Sequence, residues 1–590
     1  MIKNSRKRNF GVNLGGGGSL AFLFLLAIFS PAGMAFAADY DLNATMSPAD
    51  NWSNSNLWTL SGTSSTGENY YVSGFDCRTK DLTGINDTTF ASRNLILGRS
   101  ASGVVANSNS TLVLKVRGAT TTIKSISTYG TYGKITSWNP YNNPTTLTLT
   151  HGLTINTDAG VGSVTIDTTD DSNSQRDITL NASLYGDGTL IKTGIYALTV
   201  NTANYEVPID VQKGTLYLHS SVSDVIFGEN FSLTMRDGTS YIPILNDLGS
   251  AGTKMNIHGN VTGKNGANTT GNKRILSDVI LNEDAVLTVK NDDNTAGATG
   301  AHVFNAEVSG AGKLVVDTLF TSGDTTKISP VVLSAENSYT GGTEVKSGIL
   351  RISSAANLGG STGTLTLSGG SLNVTNATGS PVEVDLDTRP ITITSSSTLE
   401  VNADTILKMQ NITGAANQTL TKIGAGRLDI SGALTAGNLA INAGTFSPGN
   451  SIGTTTLQNG NFSLAAGSTL LFEIGTSGDT FDVDDLNVTG EISFADTSAI
   501  EFSWDNKSPS SNANYTLASA TAGITNYDIF DWDTILRNAG MSLDSWSVTS
   551  DANAIILNYT GGGGEVPEPS TWFLLLLGGA CLIMYRRVKK

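Results

Sequence analysis

From about residue 90 onward the chain is written in short alternating runs. TLVLKVRG, PTTLTLTHGLTIN, GSVTIDT, GTLTLSGGSLNVTN and RPITITSSSTLEVN place Leu, Val or Ile at every second position, and Gly, Asn, Asp and Ser punctuate between them. A period of two is that of a strand with one face buried, and the punctuation is that of turns. Helical periodicity is nearly absent outside the two ends; the exception is Asp531–Ala539 (DWDTILRNA), which reads as one short helix. The body is predicted to be all-β.

The runs also repeat. Lys192-Thr193-Gly194-Ile195-Tyr196-Ala197-Leu198 and Lys422-Ile423-Gly424-Ala425-Gly426-Arg427-Leu428 share the form K-x-G-x-x-x-L. Each is followed by a second glycine-marked strand, Val211–Leu218 (VQKGTLYL) and Ile441–Pro448 (INAGTFSP), and Val345–Ile352 (VKSGILRI) is a further copy of that strand. Lys192 to Gly214 and Lys422 to Gly444 are both 22 residues. A fixed offset between two such strands is what one coil of a solenoid requires, whereas a sandwich has no reason to keep it.

The ends differ from the body. A basic stretch with Lys3, Arg6, Lys7 and Arg8 precedes the apolar run Leu20–Phe29, and Ala35-Phe36-Ala37 supplies a small-x-small cleavage pattern. Ten apolar residues make roughly 15 Å of helix, half of a bilayer core, so residues 1–37 read as a signal peptide for the secretion translocon. At the other end Val566-Pro567-Glu568-Pro569 leads into Trp572–Tyr585 (WFLLLLGGACLIMY) and then Arg586, Arg587, Lys589 and Lys590. The prolines hold the first segment extended, and the apolar run makes roughly 21 Å of helix, short for a stable span. Trp572 and Tyr585 stand as interfacial anchors, and the basic end is expected to stay cytoplasmic with the body outside.

This tail resembles the PEP-CTERM sorting signal of Gram-negative bacteria, with its PEP motif, one short helix and basic end in order over about 25 residues. The resemblance implies recognition of Val566, Pro567, Glu568 and Pro569 by an exosortase-type membrane enzyme, a transient inner-membrane anchor, and a place at the cell surface or in an exopolysaccharide or biofilm matrix. The body resembles the autotransporter-associated β-strand repeat. Asn337-Ser338-Tyr339-Thr340-Gly341-Gly342-Thr343, Ser447–Thr454 (SPGNSIGT) and Asp485–Gly490 (DLNVTG) carry that likeness. No run of barrel strands follows, so the sorting tail is expected to replace an autotransporter barrel. The repeat implies a right-handed parallel β-helix with inward Leu, Val and Ile and outward Thr, Ser and Asn. At about 22 residues per coil the body would stack roughly 24 rungs, about 115 Å. The expected organisation is a signal peptide (1–37), an N-terminal β region and cap with Trp52 and Trp58 (38–185), a repeat solenoid (186–490), a C-terminal β cap (491–560), and a sorting signal with a single short transmembrane helix (561–590).

Composition narrows the function. Of 590 residues 65 are glycine and only 15% are charged, while 39% are apolar, enough to bury a core. The net charge of −16 understates the body: without residues 1–37 and 566–590 it carries 27 basic and 50 acidic groups, a net of −23. Such a surface repels nucleic acid, which is bound by Lys and Arg neutralising phosphates.

Candidate chemistry is sparse. Gly449-Asn450-Ser451-Ile452-Gly453 matches the G-x-S-x-G nucleophile elbow, but its flanks are β and turn and no histidine follows it, so a glycine-rich turn is expected. His151, His219, His258 and His302 show no metal-ligand spacing and read as separate surface or turn residues. Asp479, Asp482, Asp484 and Asp485 (GDTFDVDD) form the densest acidic cluster; it lacks the glycine-aspartate nonapeptide of calcium-binding β-rolls and reads as a solvated turn, with calcium as the other reading. Cys77 is the one cysteine outside the tail, where Cys581 lies, and is expected to be a buried, inert thiol. Trp52, Trp58, Tyr70, Tyr71, Trp138 and Tyr141 could stack on sugar rings, or pack caps and core. The expectation is an exported structural or adhesive protein with no catalytic residue, cofactor or metal. A β-helix polysaccharide lyase or hydrolase is the alternative, since fold alone does not choose between them.

Overall fold

The computed structural model describes residues 39–42, 58–61, 69–79, 85–99, 102 and, from 110 to 561, all but 116–118, 132, 138–143, 157–161, 169–176, 222–223, 266–270, 292–299, 319–328, 376–381, 387, 436 and 478–479. The expected signal peptide, the expected sorting segment and the apolar run Trp572–Tyr585 lie outside them. Among the described residues no helix is long and apolar enough to cross a membrane.

The described chain is all-β, and its strands are overwhelmingly parallel. They form three sheets of 32, 10 and 12 strands. Consecutive strands pass to different faces and return one strand further on. Thr189–Thr193 belongs to the first face, Ala197–Asn201 to the second and Asn204–Tyr205 to the third; Ile209–Val211 then pairs in parallel with Thr189–Thr193. The second face runs as one parallel ladder from Asp87–Leu97 to Ala513–Ala520.

Alternation explains the placement. Thr145–Leu149 (TTLTL) buries Thr145, Leu147 and Leu149 and turns Thr146 and Thr148 outward. In-register stacking then makes the core continuous: Leu190, Ile209, Leu233, Met255, Val279 and Val308 are successive partners on the first face, each at most 1% exposed. Coils are not uniform, however. Partners are 18 residues apart at Leu198 and Leu216 but 32 apart at Leu486 and Ala518. Longer turns spend residues outside the ladder, so the second face stacks about 18 strands, about 80 Å at roughly 4.8 Å each.

Among the described residues four strand pairs are antiparallel, one of them Trp546–Ser550 with Ala554–Tyr559. Asp39–Leu42 pairs with Trp58–Ser61 near the start, Thr469–Ser477 with Thr480–Val483 as a hairpin, and Ala513–Ala520 with Ala554–Tyr559 near the end. The last of these turns the chain back on itself, which leaves less open strand edge for another chain to join. The expected short helix is Trp532–Asn538; the Asp531 carboxylate caps it by accepting from Thr534 N at 3.2 Å.

Candidate functional site

The repeated K-x-G-x-x-x-L element is a turn built around a buried cation. In TLIKT, Leu190 and Lys192 share a parity, so the alternation that buries one sends the other inward, and both are 0% exposed. Lys192 Nζ has four acceptors around its three hydrogens: Gly194 O and Lys213 O at 2.8 Å, Thr193 O at 2.9 Å and Thr168 Oγ1 at 3.0 Å. Lys422 repeats the arrangement on Gly424 O at 2.8 Å and Ala443 O at 2.7 Å. Each lysine therefore ties its own turn to the turn of the next coil. Burial pushes both down to about 8, which leaves the ammonium form at neutral pH. Gly214 (φ 78°) and Gly444 (φ 72°) let the second turn close, and a Cβ on Gly214 would lie 2.5 Å from Gly194 O. Lys273 and Arg389 use the same device. Lys273 Nζ donates to Ile244 O at 2.8 Å, and Arg389 donates to Gly363 O at 2.7 Å and Gly359 O at 2.8 Å.

Outward positions of the second face form polar rows. Thr148, Asn181, Asn201 and His219 are linked side chain to side chain at 3.1, 3.0 and 2.8 Å. Beside them, Thr120, Thr146, Thr179, Thr199 and Tyr217 are successive register partners. A second chain of the kind joins Asn69, Asn94 and Ser125 at 2.9 and 2.8 Å. Hydroxyls and amides at rung spacing satisfy each other along the stack and still present donors and acceptors outward.

Two sequence candidates come together. The hairpin Thr469–Ser477/Thr480–Val483 brings Asp484 onto the turn Gly449–Gly453. One Asp484 oxygen accepts from Gly453 N at 2.9 Å; the other accepts from Glu473 N at 2.7 Å and lies 3.3 Å from Ser447 Oγ. Ser451 is exposed on that turn at φ 70°, between strands Thr445–Pro448 and Thr454–Leu457. A strand–turn–strand is not the strand–turn–helix of a nucleophile elbow. The expectation of a solvated acidic turn holds for exposed Asp482 and fails for Asp484, which is 0% exposed; Asp479 lies outside the described residues. The hairpin folding back over the coil buries it.

Across from Ser447 stands Asp429, missed in the sequence because its parity is outward, yet 0% exposed. It is the register partner of Ser447, and Arg427 bridges Asp429 Oδ1 at 2.5 Å and Glu473 Oε1 at 2.7 Å. Burial raises Asp429 to about 6 against the pull of Arg427, and raises Asp484 to about 8 against the backbone N–H groups of Glu473 and Gly453.

The remaining candidates are dispersed. His151 is exposed, His219 belongs to the polar row and His258 lies 3.5 Å from Asn282 Nδ2. His302 departs from the surface expectation: it is 1% exposed, stacked on Phe304, and pushed down to about 4 by burial and by its register partner Lys273. Its parity with Phe304 on the strand His302–Phe304 turns it inward. Among the described residues no group of three or more His, Cys, Asp or Glu side chains could hold a metal. Cys77 is a buried free thiol raised by burial. Tyr70 is 7% exposed and packs edge-on against Phe90, with ring centroids 4.7 Å apart, so it belongs to the core. Trp52, Trp138, Tyr141 and the Trp58 side chain lie outside the described residues. So do the cleavage residues Ala35 and Ala37, the sorting residues Val566, Pro567, Glu568 and Pro569, and the basic end Arg586, Arg587, Lys589 and Lys590.

No protein-family profile matches the chain. Among curated proteins it is similar to the adhesin BmaC autotransporter of Brucella suis biovar 1 (strain 1330), at 31% identity over 177 residues. That stretch is 29% of this chain and 5% of the adhesin, so the likeness spans only a small part of a far longer protein.

Proposed function

We propose that this chain is an exported, non-catalytic surface protein with a structural or adhesive role, and that its body is a right-handed parallel β-helix. The observation that carries the reading is the parallel second-face ladder with outward rows of Thr and Asn, a long stack built to present a repeated polar surface. The similarity to a stretch of an adhesin supports the same reading. In this proposal residues 1–37 direct export, 38–185 begin the stack, 186–490 carry the repeats, 491–560 close it and 561–590 form the sorting signal. Val566–Pro569 engage an exosortase-type enzyme while Arg586, Arg587, Lys589 and Lys590 hold the tail at the inner membrane, and exopolysaccharide is the matrix partner.

The test is made in the native host. Mass spectrometry of the mature protein, in wild type and in Pro567→Ala/Glu568→Ala, is expected to find an end near Val566–Thr571 that is lost in the variant. Intact Lys590 in both would remove the exosortase step. Protease shaving of whole cells is expected to release body peptides, and failure to do so would remove surface exposure. Release of unsaturated uronates or reducing ends from the host's exopolysaccharide by purified chain would overturn the non-catalytic reading.

A further inference from the structure

Asp484 stands where hairpin, turn and stack meet, fully buried, its two oxygens held by the backbone N–H groups of Gly453 and Glu473 and, among the described residues, by no ion pair. Ser447 Oγ lies 3.0 Å from Leu471 O and 3.3 Å from Asp484 Oδ2, but a hydroxyl has one hydrogen. If Ser447 donates to Leu471 O, its oxygen faces a carboxylate oxygen with nothing between. A proton on Asp484 Oδ2 donating to Ser447 Oγ satisfies both. Asp429 Oδ2, buried on the register partner of Ser447, has no hydrogen-bond partner either, so a second carboxyl at this spot is short of donors.

The surroundings are acid-rich from every side. The strand of Asp429 contributes Arg427, its neighbour contributes Lys408, and the hairpin contributes Glu473 and Asp482. Asp485 follows on the next strand, and Glu501 is the register partner of Leu471. Lys408 is paired with Glu383 at 2.8 Å and Arg427 is shared between two acids, so among the described residues no ion pair reaches Asp484. Further along the hairpin, Phe481 packs on Tyr515 and Trp546, with centroids 5.2 and 5.7 Å away.

We propose that Asp429, Ser447 and Asp484 form a proton-operated latch: Asp484 holds a proton in the closed body, and losing it in mild alkali loosens the hairpin Thr469–Ser477/Thr480–Val483 from the turn Gly449–Gly453. The sign follows from linkage. Burial holds Asp484 up to about 8, above the ordinary carboxyl value of 3.8, so between the two the native state binds the proton more tightly than the unfolded chain. The latch's contribution is complete below the lower value and is lost as pH rises through the upper one.

The test uses the full chain. Infrared pH-difference spectra are expected to show a protonated-carboxyl band at neutral pH that disappears with a midpoint near about 8. Amide exchange of peptides covering 469–485, corrected for its intrinsic pH dependence, should accelerate about tenfold or more over the same range, a change of about 1.4 kcal/mol. Asp484→Asn is expected to lack the band and to lose the pH dependence. Ser447→Ala removes the acceptor of the proton, so its midpoint should fall; if Ser447 instead donates to a carboxylate, the midpoint rises and the latch is refuted. Absence of the band in wild type, its persistence in Asp484→Asn, or exchange that stays flat through its loss would each overturn the proposal. Should Asp484→Asn fail to fold, the direction of the Ser447→Ala shift decides.

Discussion

Replacing Lys192 by Met tests the buried-cation turn most directly. Methionine keeps most of the apolar stem and removes the three donors. Thr193 O keeps a donor in Thr168 N at 3.1 Å, and Lys213 O lies at an exposed turn where water can replace the ammonium. Gly194 O is the acceptor that is stranded, in a buried turn, at a cost of about 1–3 kcal/mol. Charge-assisted bonds to Lys213 O and Thr168 Oγ1 are lost as well, while the cost of holding an ammonium in the interior is relieved. The balance is a loss of about 2–3 kcal/mol, confined to neighbouring coils because each contacts only the next. Read by hydrogen exchange on the full chain, protection of peptides covering 189–219 should fall about 30- to 150-fold, since 1.4 kcal/mol is tenfold. Peptides beyond residue 340 should be unchanged. Lys213→Met, which alters an exposed lysine of the same turn, should change nothing. Protection kept within about threefold in Lys192→Met would refute the reasoning, as would a loss spread evenly along the chain.

Other substitutions report on other parts. Gly444→Ala puts a Cβ 2.5 Å from Gly424 O at a φ of 72°, and should destabilise coils 422–470 by about 2–4 kcal/mol, read as faster exchange there. Cys77 should resist maleimide in the folded chain and label fully in denaturant, since burial raises its thiol; peptide mapping separates it from Cys581. His302 binds its proton less readily folded, at about 4, than unfolded, at 6.5, so stability should fall as pH drops through that window, by up to about 3 kcal/mol. His302→Leu should flatten that acid limb of the melting curve; an unchanged limb would assign it to other groups.

What could be read in advance depended on how local each cause was. Leu147 and Thr148 take their sides from parity alone, and the 22-residue offset of Lys192 and Gly214 marks two turns that do stack. The inward lysines were equally legible by parity with Leu190 and Leu420, although only the stacked turn shows what they bind. Coil length was not legible, because a turn can lengthen without disturbing the ladder. Asp429 was missed and Asp484 misplaced for one reason: the hairpin Thr469–Ser477/Thr480–Val483, which lies far beyond Asp429 in sequence and ends immediately before Asp484, covers an outward face, and no local pattern encodes a lid. The polar rows were foreseen as Thr, Ser and Asn ladders; that His219 would join one needed the register with Asn201.

Because backbone hydrogen bonds in the second-face ladder run along the stack, they lie in line with any tension between its two ends. Load then falls on one interface at a time, as in opening a zipper rather than shearing a seam. A freed coil of about 22 residues pays out roughly 75 Å of extended chain in exchange for about 4.8 Å of stack. Single-molecule pulling should show a sawtooth of steps near that size at low force, and one all-or-none rupture would contradict it. A tether of this construction yields length under strain before it breaks, and the buried lysine turns set where yielding starts last.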